Sequence, residues 1–223
     1  FYAPRGSGAE YERDEQSIVV GSQKLKFSAH LYGRFNLYNI LCAFSAADLL
    51  VPNKKNDIIA AIAGFAGVPG RTELISKDPA VIVDFAHTPD GIQKVLSSLA
   101  SRPLIVVMGA GGDRDASKRP IMGQIAASFA KTLIITSDNP RSEDPQKIIE
   151  QIKAGANKAT KGAKIITESD RKKAIALALS LVKKDEIIAI LGKGDEDYQE
   201  INGVKHPFSD AAIVKELLKT KPC

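Results

Sequence analysis

The chain has 223 residues, of which 44% are hydrophobic and 26% charged, and its net charge at pH 7 is +5. This length and composition are ordinary for a soluble globular protein that buries a substantial core. Because the 31 Lys and Arg residues are spread along the chain and only 6% of residues are aromatic, nucleic-acid binding is disfavoured. The mild positive balance instead suits small anionic ligands such as nucleotides.

The chain carries no signal for a membrane or for secretion. No apolar stretch approaches the roughly 20 residues that span a bilayer, and the polar opening is not a signal peptide. Its two cysteines, Cys42 and Cys223, cannot form a disulfide framework, which favours the reducing cytoplasm. The chain starts without Met and with no cap or strand signal, so we expect a fragment of a longer protein.

The first segment is predicted to contain two short strands and two helices. The strands are SIVVGSQ and KLKFSAHLYG, and residues 36–50 have apolar side chains at helical spacing that ends at Val51-Pro52. Asn53 is expected to cap the second helix, KKNDIIAAIAGF. The GVPGRTE stretch that follows is a turn or hinge signal. We therefore divide the chain into residues 1–68 and 69–223.

The second segment alternates between short apolar runs and helical patterns. Continuous apolar runs are typical of parallel strands that helices cover on both faces. These runs are AVIVDF, PLIVVMG, TLIIT, AKIIT and EIIAILG. Asn202-Gly203 predicts a late hairpin, and Ser209 is expected to cap the last helix. The predicted fold is α/β, with a Rossmann-like, mostly parallel sheet and helices on both faces.

Four polar clusters follow strands of this sheet. They are DFAHTPD (84–90), GAGGDRDASKRP (109–120), SDNPRSEDP (137–145) and GKGDEDYQ (192–199). In open α/β sheets, ligands bind at the carboxyl ends of the strands. Four clusters at one edge therefore indicate a single binding site rather than four separate turns.

The first two clusters carry phosphate-binding features. Thr88 is expected to cap a helix that starts at Pro89, and a helix N-terminus favours phosphate. Asp84 and His87 would lie beside it, although His87 could simply bond a backbone carbonyl. The second cluster is neither a G-x-G-x-x-G motif nor a P-loop. It adds three cations near a helix start, which could instead be solvated surface, the first less so than the others: Arg114, Lys118 and Arg119.

The third cluster has the groups that recognise an amino acid. Arg141 can bind a carboxylate through two parallel hydrogen bonds. Asp138 and Glu143 could hold an ammonium group, Asn139 could serve either group, and Pro140 fixes the backbone between them.

The fourth cluster adds to the same inventory. Gly192 allows a close approach of the backbone, and Glu196 offers another partner for an ammonium group. Asp195 and Asp197 could be solvated surface residues, and this reading is preferred for Asp197.

Together with GRFNLYN (33–39) and VPGR (68–71), these clusters resemble the Mur ligases from about residue 30 to the end. The resemblance is closest to the MurE-type branch, which adds the third residue of the peptidoglycan stem peptide. It implies an ATP-dependent amide ligase that joins meso-diaminopimelate to UDP-N-acetylmuramoyl-L-alanyl-D-glutamate. Residues 1–68 would then be the C-terminal portion of the central ATP-binding domain, and 69–223 the domain that binds the incoming amino acid.

The resemblance also assigns residues to ligands. It places five on the ATP side: Asn36, Asn39, Arg71, Asp84 and His87. It assigns seven to diaminopimelate: Arg114, Asp138, Asn139, Pro140, Arg141, Gly192 and Glu196. An Asp-Asn-Pro-Arg motif marks the diaminopimelate-adding enzymes of this branch, whereas lysine-adding enzymes typically lack that Arg.

The extra carboxylate gives a physical basis for this discrimination. Diaminopimelate is lysine with a second carboxylate, and a hydrogen bond to a charged group contributes about 1.5–3 kcal/mol. An Arg141 buried without that carboxylate would add a penalty against lysine.

The chain also departs from the family pattern. It has no G-x-x-x-x-G-K-[ST] loop, so ATP and Mg²⁺ are expected to be held largely by an upstream part, and the chain alone is not expected to catalyse ligation. Catalytic residues and metal ligands are not assigned, and a monomer is expected. Asp195 stands where MurE proteins commonly have His, which leaves the role of that position open.

Three alternatives remain. The protein could be a lysine-adding MurE or another Mur or folylpolyglutamate-type ligase. It could also be a non-catalytic module that binds an amino acid or a nucleotide.

Overall fold

The computed structural model describes residues 8–11, 16–20, 23–27, 31, 33–160 and 162–220. The chain forms two compact units, Phe1–Gly67 and Val68–Cys223. Cys42 in the first unit is a free, exposed cysteine. Cys223 lies outside the described residues, as do residues 28–30 of the second predicted strand.

The first unit contains an antiparallel sheet and two helices. The strands β1 (Gly8–Tyr11), β2 (Gln16–Val20) and β3 (Gln23–Phe27) pair in sequence order. The helices α1 (Arg34–Leu50) and α2 (Lys55–Ala63) follow. Leu37, Ile40 and Phe44 of α1 are buried and form the centre of a small apolar cluster, as expected from the helical spacing of these residues.

Two expectations for this unit are wrong. Strand β1 lies in the opening stretch, where no strand signal was found. Asn53 does not cap α2, because it adopts a left-handed conformation with φ of 69°. Lys54 occupies the N-cap position instead and makes no side-chain capping bond. Asn53 thus serves the turn between the helices, a conformation that Asn tolerates better than most residues.

The second unit is built on a six-stranded sheet. Its strands are β4 (Glu73–Lys77), β5 (Ala80–Asp84), β6 (Leu104–Met108), β7 (Ala130–Ile135), β8 (Lys164–Thr167) and β9 (Ile187–Leu191). They lie in the order β4-β5-β9-β6-β7-β8. All neighbours are parallel except β4, which pairs with β5 in the antiparallel direction. The predicted mostly parallel α/β fold and its five strands are therefore confirmed.

Five helices and a hairpin complete this unit. The helices are α3 (Pro89–Leu99), α4 (Lys118–Phe129), α5 (Pro145–Ala156), α6 (Arg171–Leu181) and α7 (Asp210–Thr220). The hairpin consists of β10 (Tyr198–Ile201) and β11 (Val204–Pro207). Among the described residues, every helix is too short or too polar to cross a membrane.

Local sequence signals set the starts of several elements. Thr88 caps α3 by accepting a hydrogen bond from the Gly91 amide at 3.2 Å, and Ser209 accepts one from the Ala212 amide at 3.3 Å. Asn202 and Gly203 have φ values of 50° and 77°, as a two-residue hairpin turn requires. These three predictions are confirmed.

Strand β4 was not predicted because its sequence lacks the signal used for the others. ELISK has only two apolar residues, and four of its five residues are half-buried while the last is exposed. The central strands β5, β6 and β9 are buried at every position. An edge strand of this kind does not show the continuous apolar run that marks the interior of a parallel sheet.

Two glycines let helices α4 and α5 approach each other closely. A Cβ atom at Gly155 would overlap the carbonyl oxygen of Pro120, and one at Gly123 would overlap that of Ile152. Both obstacles are backbone atoms, which cannot move aside as a side-chain end can. The spacing of the two helices, which both lead away from the candidate site, therefore depends on these glycines.

We expect Gly155→Ala to lower the free energy of unfolding by about 1–3 kcal/mol, because overpacking outweighs the better helix propensity of Ala. Chemical denaturation of both proteins measures this difference. The matched control is Gly162→Ala, since a Cβ there meets nothing within 4 Å. Equal stability of Gly155→Ala and wild type would show that the helices separate without cost.

Candidate functional site

The four polar clusters meet at one edge of the sheet. Strands β5, β9, β6 and β7 are consecutive neighbours, so the segments that follow them lie side by side at their carboxyl ends. These segments line a cavity of about 400 Å³, which is within the usual size of small-molecule sites. It contains six of the seven residues predicted to bind diaminopimelate: Arg114, Asp138, Asn139, Arg141, Gly192 and Glu196.

Pro140 is the one member of that group that does not line the cavity. Instead, it packs against the neighbouring loop, since a Cβ at Gly112 would overlap its carbonyl oxygen. The Gly112 amide donates to the Asn139 carbonyl at 2.8 Å, and Arg141 Nη1 donates to the Gly112 carbonyl at 2.7 Å. The loops after β6 and β7 are thus joined backbone to backbone.

Arg119 and Glu143 strengthen this junction. The Arg119 side chain is 2% exposed, and its two terminal nitrogens each donate to Glu143 at 2.8 Å. Arg119 also donates to Gln151 at 2.7 Å and to the Gly111 carbonyl at 3.1 Å. The expectations that Glu143 holds a ligand ammonium and that Arg119 could be solvated surface are therefore wrong, because the two residues form an internal ion pair.

This pair changes the titration of Glu143. Its hydrogen bond to Arg119 is the main reason that the pKa of Glu143 is lowered from 4.5 to about 2, with a further contribution from the Asp113 amide. A carboxylate whose pKa is lowered by folding stabilises the folded protein above its unfolded-state pKa. This contribution is lost as the pH falls from about 4.5 towards about 2.

A buried network fixes Asn139. Its Oδ1 accepts hydrogen bonds from Lys193 Nζ at 3.0 Å and from the Glu200 amide at 2.9 Å. Its Nδ2 donates to Glu196 Oε2 at 2.8 Å, and Lys193 Nζ donates to the same oxygen at 3.0 Å. These contacts connect the loop after β7 to the loop after β9.

A second buried network lies beneath Asp138. Arg171 is 1% exposed and binds both carboxylate oxygens of Asp210, at 2.8 and 2.7 Å. Its Nη1 lies 3.8 Å from Asp138 Oδ2. Gly192, with φ of 114°, makes room for that oxygen, because a Cβ there would lie 2.5 Å from it. The predicted close approach at Gly192 is therefore made by a protein carboxylate.

The β10–β11 hairpin holds Arg141. The Arg141 amide donates to the Glu200 carbonyl at 3.1 Å, and the Asn202 amide donates to the Arg141 carbonyl at 2.7 Å. The Arg141 Nε atom lies 3.4 Å from Glu200 Oε2, and the side chain is 21% exposed. Arg141 thus has protein partners without a ligand, so the expected penalty for a buried, unpaired guanidinium does not apply.

Three residues predicted on the ATP side lie in the second unit. Asp84 accepts hydrogen bonds from the Thr72 amide at 2.7 Å, the Thr72 hydroxyl at 3.0 Å and the Ala86 amide at 2.7 Å. These bonds tie the turn before β4 to the end of β5. Arg71 stacks over the Phe85 ring at 4.3 Å. Neither Asp84 nor Arg71 lines the cavity.

His87 lines the cavity, and its Nδ1 lies 3.0 Å from the Phe85 carbonyl oxygen. His87 thus makes the backbone contact that the alternative expected, and it lines the cavity as well. In the neutral ring this contact places the proton on Nδ1 and leaves Nε2 as an acceptor. The remaining two predicted residues are in the first unit, where Asn39 Nδ2 donates to Asn36 Oδ1 at 3.0 Å.

Sequence reasoning missed three residues that shape the site. Arg171 and Glu200 carry no motif, and their partners are 39 and 59 residues away in the sequence, at Asp210 and Arg141. Lys193 lies between two glycines, and this position was the sequence feature that could have indicated its role. Asp195, left open by the sequence, is exposed.

The described residues contain no group of three or more His, Cys, Asp or Glu side chains arranged to hold a metal ion.

The fold and cavity define an α/β domain with a candidate small-molecule site at the carboxyl ends of its strands. The profile of the family described as Mur ligase, glutamate ligase domain, matches residues 70–194. The chain belongs to this family.

Relatives and solved structures extend this result. The chain is 45% identical over 212 residues to the UDP-N-acetylmuramoyl-L-alanyl-D-glutamate--2,6-diaminopimelate ligase of Helicobacter hepaticus, covering 95% of this chain and 43% of that protein. A solved structure of a ligase with the same name is 35% identical, with a TM-score of 0.70, covering 96% of this chain and 44% of that one. The chain thus spans less than half the length of these relatives.

A more distant structure supports the fold alone. The MurF ligase from Thermotoga maritima, solved in complex with ADP, is 18% identical with a TM-score of 0.60. The match covers 95% of this chain and 45% of that one.

We expect Glu143→Gln to make stability less sensitive to acid. At pH 7 the variant should unfold more readily than wild type, because Arg119 loses its carboxylate partner. Since protonation removes the same partner from wild type, the difference in free energy of unfolding should shrink as the pH falls from about 4.5 towards about 2. Urea denaturation at a series of pH values measures this convergence.

The matched control is Glu150→Gln on the exposed side of α5, where Glu150 lies 3.5 Å from Lys153. This variant should follow wild type at every pH. A constant difference between Glu143→Gln and wild type across the whole range would contradict the assigned ion pair.

Proposed function

We propose that the full-length protein containing this chain is an ATP-dependent amide ligase that adds meso-diaminopimelate to UDP-N-acetylmuramoyl-L-alanyl-D-glutamate. Residues 1–68 would belong to its central ATP-binding domain, and 69–223 would bind the incoming amino acid. The named function of the Helicobacter hepaticus relative supports this substrate pair. The predicted cytoplasmic location and monomeric state belong to the same proposal.

One observation carries the choice of ligand: cationic and carboxylate side chains line the same cavity. Arg114 and Arg141 line it together with Asp138 and Glu196. Diaminopimelate has two ammonium and two carboxylate groups, so each of its charges has an opposite partner available. A ligand with only one kind of charge would leave the cavity side chains of the other sign without a partner on the ligand.

Arg141 would bind the carboxylate that distinguishes diaminopimelate from lysine. Its Nη1 and Nε atoms face Gly112 and Glu200. Among the described residues, its Nη2 makes no hydrogen bond, and this nitrogen remains available to a carboxylate. Because protein partners already hold the guanidinium, its geometry is set before the ligand binds, which reduces the entropy lost on binding.

The carboxylates would hold the ammonium end. Glu196 offers Oε1, since its Oε2 already accepts hydrogen bonds from Asn139 and Lys193. Asp138 offers its carboxylate beside Gly192. Pro140 would act indirectly by fixing the loop that carries Asp138 and Arg141. In this arrangement the pocket orients the amino acid so that one amine can attack the activated substrate carboxylate.

ATP, with Mg²⁺, would supply that activation and would be held largely by the part of the enzyme upstream of this chain. The ADP complex of the Thermotoga maritima relative supports nucleotide use within this fold. From this chain, Asn36, Asn39, Arg71 and His87 would contribute to the nucleotide site. Asp84 would act there by holding Thr72 and Ala86, since it already accepts three hydrogen bonds.

A lysine-adding ligase is the second candidate. The protein partners of Arg141 lower the penalty that lysine would suffer, so discrimination must come from the bonds that the extra carboxylate gains. Hydrogen bonds to charged groups contribute about 1.5–3 kcal/mol each. The preference for diaminopimelate over lysine is therefore expected to be about 10-fold or more per such bond.

We expect Arg141→Met in the full-length enzyme to raise the KM for diaminopimelate about 10- to 100-fold, while the KM for ATP changes by less than about twofold. The reason is that the substitution removes the partner of one ligand carboxylate and leaves the nucleotide side unchanged. Steady-state kinetics with each substrate varied in turn measures both constants.

The control is Arg102→Met. Arg102 lies before β6 and donates to the backbone carbonyls of residues 184–186, at the opposite edge of the sheet from the cavity. Its removal should leave both KM values near wild type. Equal increases for diaminopimelate and ATP in Arg141→Met would mean that Arg141 supports the fold and does not bind the ligand.

A further inference from the structure

Lys193 is a fully buried cation at the back of the cavity. Its side chain is 0% exposed, and its ammonium group donates to Asn139 Oδ1 at 3.0 Å and to Glu196 Oε2 at 3.0 Å. It also lies 5.6 Å from the centre of the Tyr198 ring. Burying a lysine costs free energy unless its charge is paired. The groups that pair with Lys193 therefore indicate what it does at the site.

Both hydrogen-bond partners of Lys193 line the cavity. Asn139 follows β7 and Glu196 follows β9, so the ammonium group joins segments that are 54 residues apart in the sequence. Asn139 Nδ2 also donates to Glu196 Oε2 at 2.8 Å. Lys193, Asn139 and Glu196 therefore form a triangle of hydrogen bonds. Lys193 does not line the cavity itself, so it can act on a ligand only through these neighbours.

The triangle determines which atoms the cavity offers. Lys193 and the Glu200 amide both donate to Asn139 Oδ1, which fixes the orientation of the amide. Asn139 Oδ1 already accepts two hydrogen bonds, so an ammonium group is expected to bind elsewhere, whereas Nδ2 keeps a second hydrogen that it can donate to a carboxylate. Glu196 Oε2 accepts two hydrogen bonds, which leaves Oε1 as the oxygen available to a ligand.

The charge of Lys193 also balances the site. Asp138 has Arg171 at 3.8 Å, and Glu196 has Lys193 at 3.0 Å. Asp138 and Glu196 are therefore each backed by a buried cation. Without Lys193, only the Asn139 amide would orient Glu196, and its side chain could turn away from the ligand.

We propose that Lys193 is a positioning residue for amino-acid binding, which fixes Asn139 and presents Glu196 Oε1 to the ammonium group of the incoming amino acid. This inference rests on the proposed function, because it assumes that an amino acid occupies the cavity. It assigns Lys193 a role in recognition that it performs without touching the ligand.

The first test is Lys193→Met in the full-length enzyme, which removes the charge and keeps a side chain of similar length. The KM for diaminopimelate should rise about 10-fold or more, as expected for the loss of an ordered charged contact, while the KM for ATP stays within about twofold. Equal changes in the two constants, or no change in either, would overturn the proposal.

The matched control is Lys205→Met. Lys205 lies 4.0 Å from the same Tyr198 ring, but it is exposed on β11. The same substitution there removes one positive charge beside the same ring and leaves the contacts among Lys193, Asn139 and Glu196 intact. Its KM for diaminopimelate should stay within about twofold of wild type.

A double-mutant cycle separates positioning from general support of the fold. If Lys193 acts through Glu196, Lys193→Met should add less than about twofold to the KM of Glu196→Gln. The same increase in both backgrounds would contradict the proposal. Should Lys193→Met alone fail to fold, the comparison of Glu196→Gln with the double variant still decides, because that background leaves no carboxylate charge unpaired.

The wild-type measurement distinguishes the two possible failures. A wild-type enzyme that uses diaminopimelate, but whose Lys193→Met variant keeps the wild-type KM, would refute the role of Lys193 alone. A wild-type enzyme that uses lysine and rejects diaminopimelate would refute the proposed substrate. Lys193 would then be judged by the KM for lysine in the same set of variants.

Discussion

The pairing of buried cations with carboxylates beneath the carboxyl edge of the sheet is the interaction on which the candidate site depends. Arg119 pairs with Glu143, Arg171 with Asp210, and Lys193 with Glu196. Arg171 and Asp210 are both fully buried, and breaking such a pair typically costs about 3–5 kcal/mol. The two pairs with partly exposed carboxylates add to this. The loops around the cavity are therefore held as one structure, and the cavity exists before any ligand enters.

Glycines impose the second constraint, because they let backbone segments approach where a side chain would block them. A Cβ at Gly70, which has φ of 65°, would overlap the backbone at Asp195, and one at Gly194 would lie 2.7 Å from Phe85 Cβ. The turn at the start of the second unit thus packs directly on the loop that carries Lys193. Two motifs that are far apart in the sequence therefore contact each other, and they can do so because neither has a side chain at the point of contact.

The sequence predicted the fold well because the decisive signals are local. Continuous apolar runs marked the buried strands, and Thr88, Ser209 and Asn202-Gly203 marked turns and caps by their own chemistry. Strand β4 was not predicted because its sequence has no continuous apolar run. The conformation of Asn53 was not predicted because Asn occurs both in turns and at helix caps. In the site, the residue types were found but the partners of Glu143 and Asn139 were not, because Arg119 and Lys193 meet them only after the sheet has formed. Pairings over 24 and 54 residues depend on the fold.

The most direct test of the account is a crystal structure of the full-length protein with meso-diaminopimelate bound. The account predicts one ligand carboxylate within about 3 Å of the Arg141 guanidinium and an ammonium group beside Asp138 and Glu196 Oε1, with the Lys193 triangle unchanged. An ordered ligand whose second carboxylate is bound away from Arg141, or one outside the cavity altogether, would contradict it.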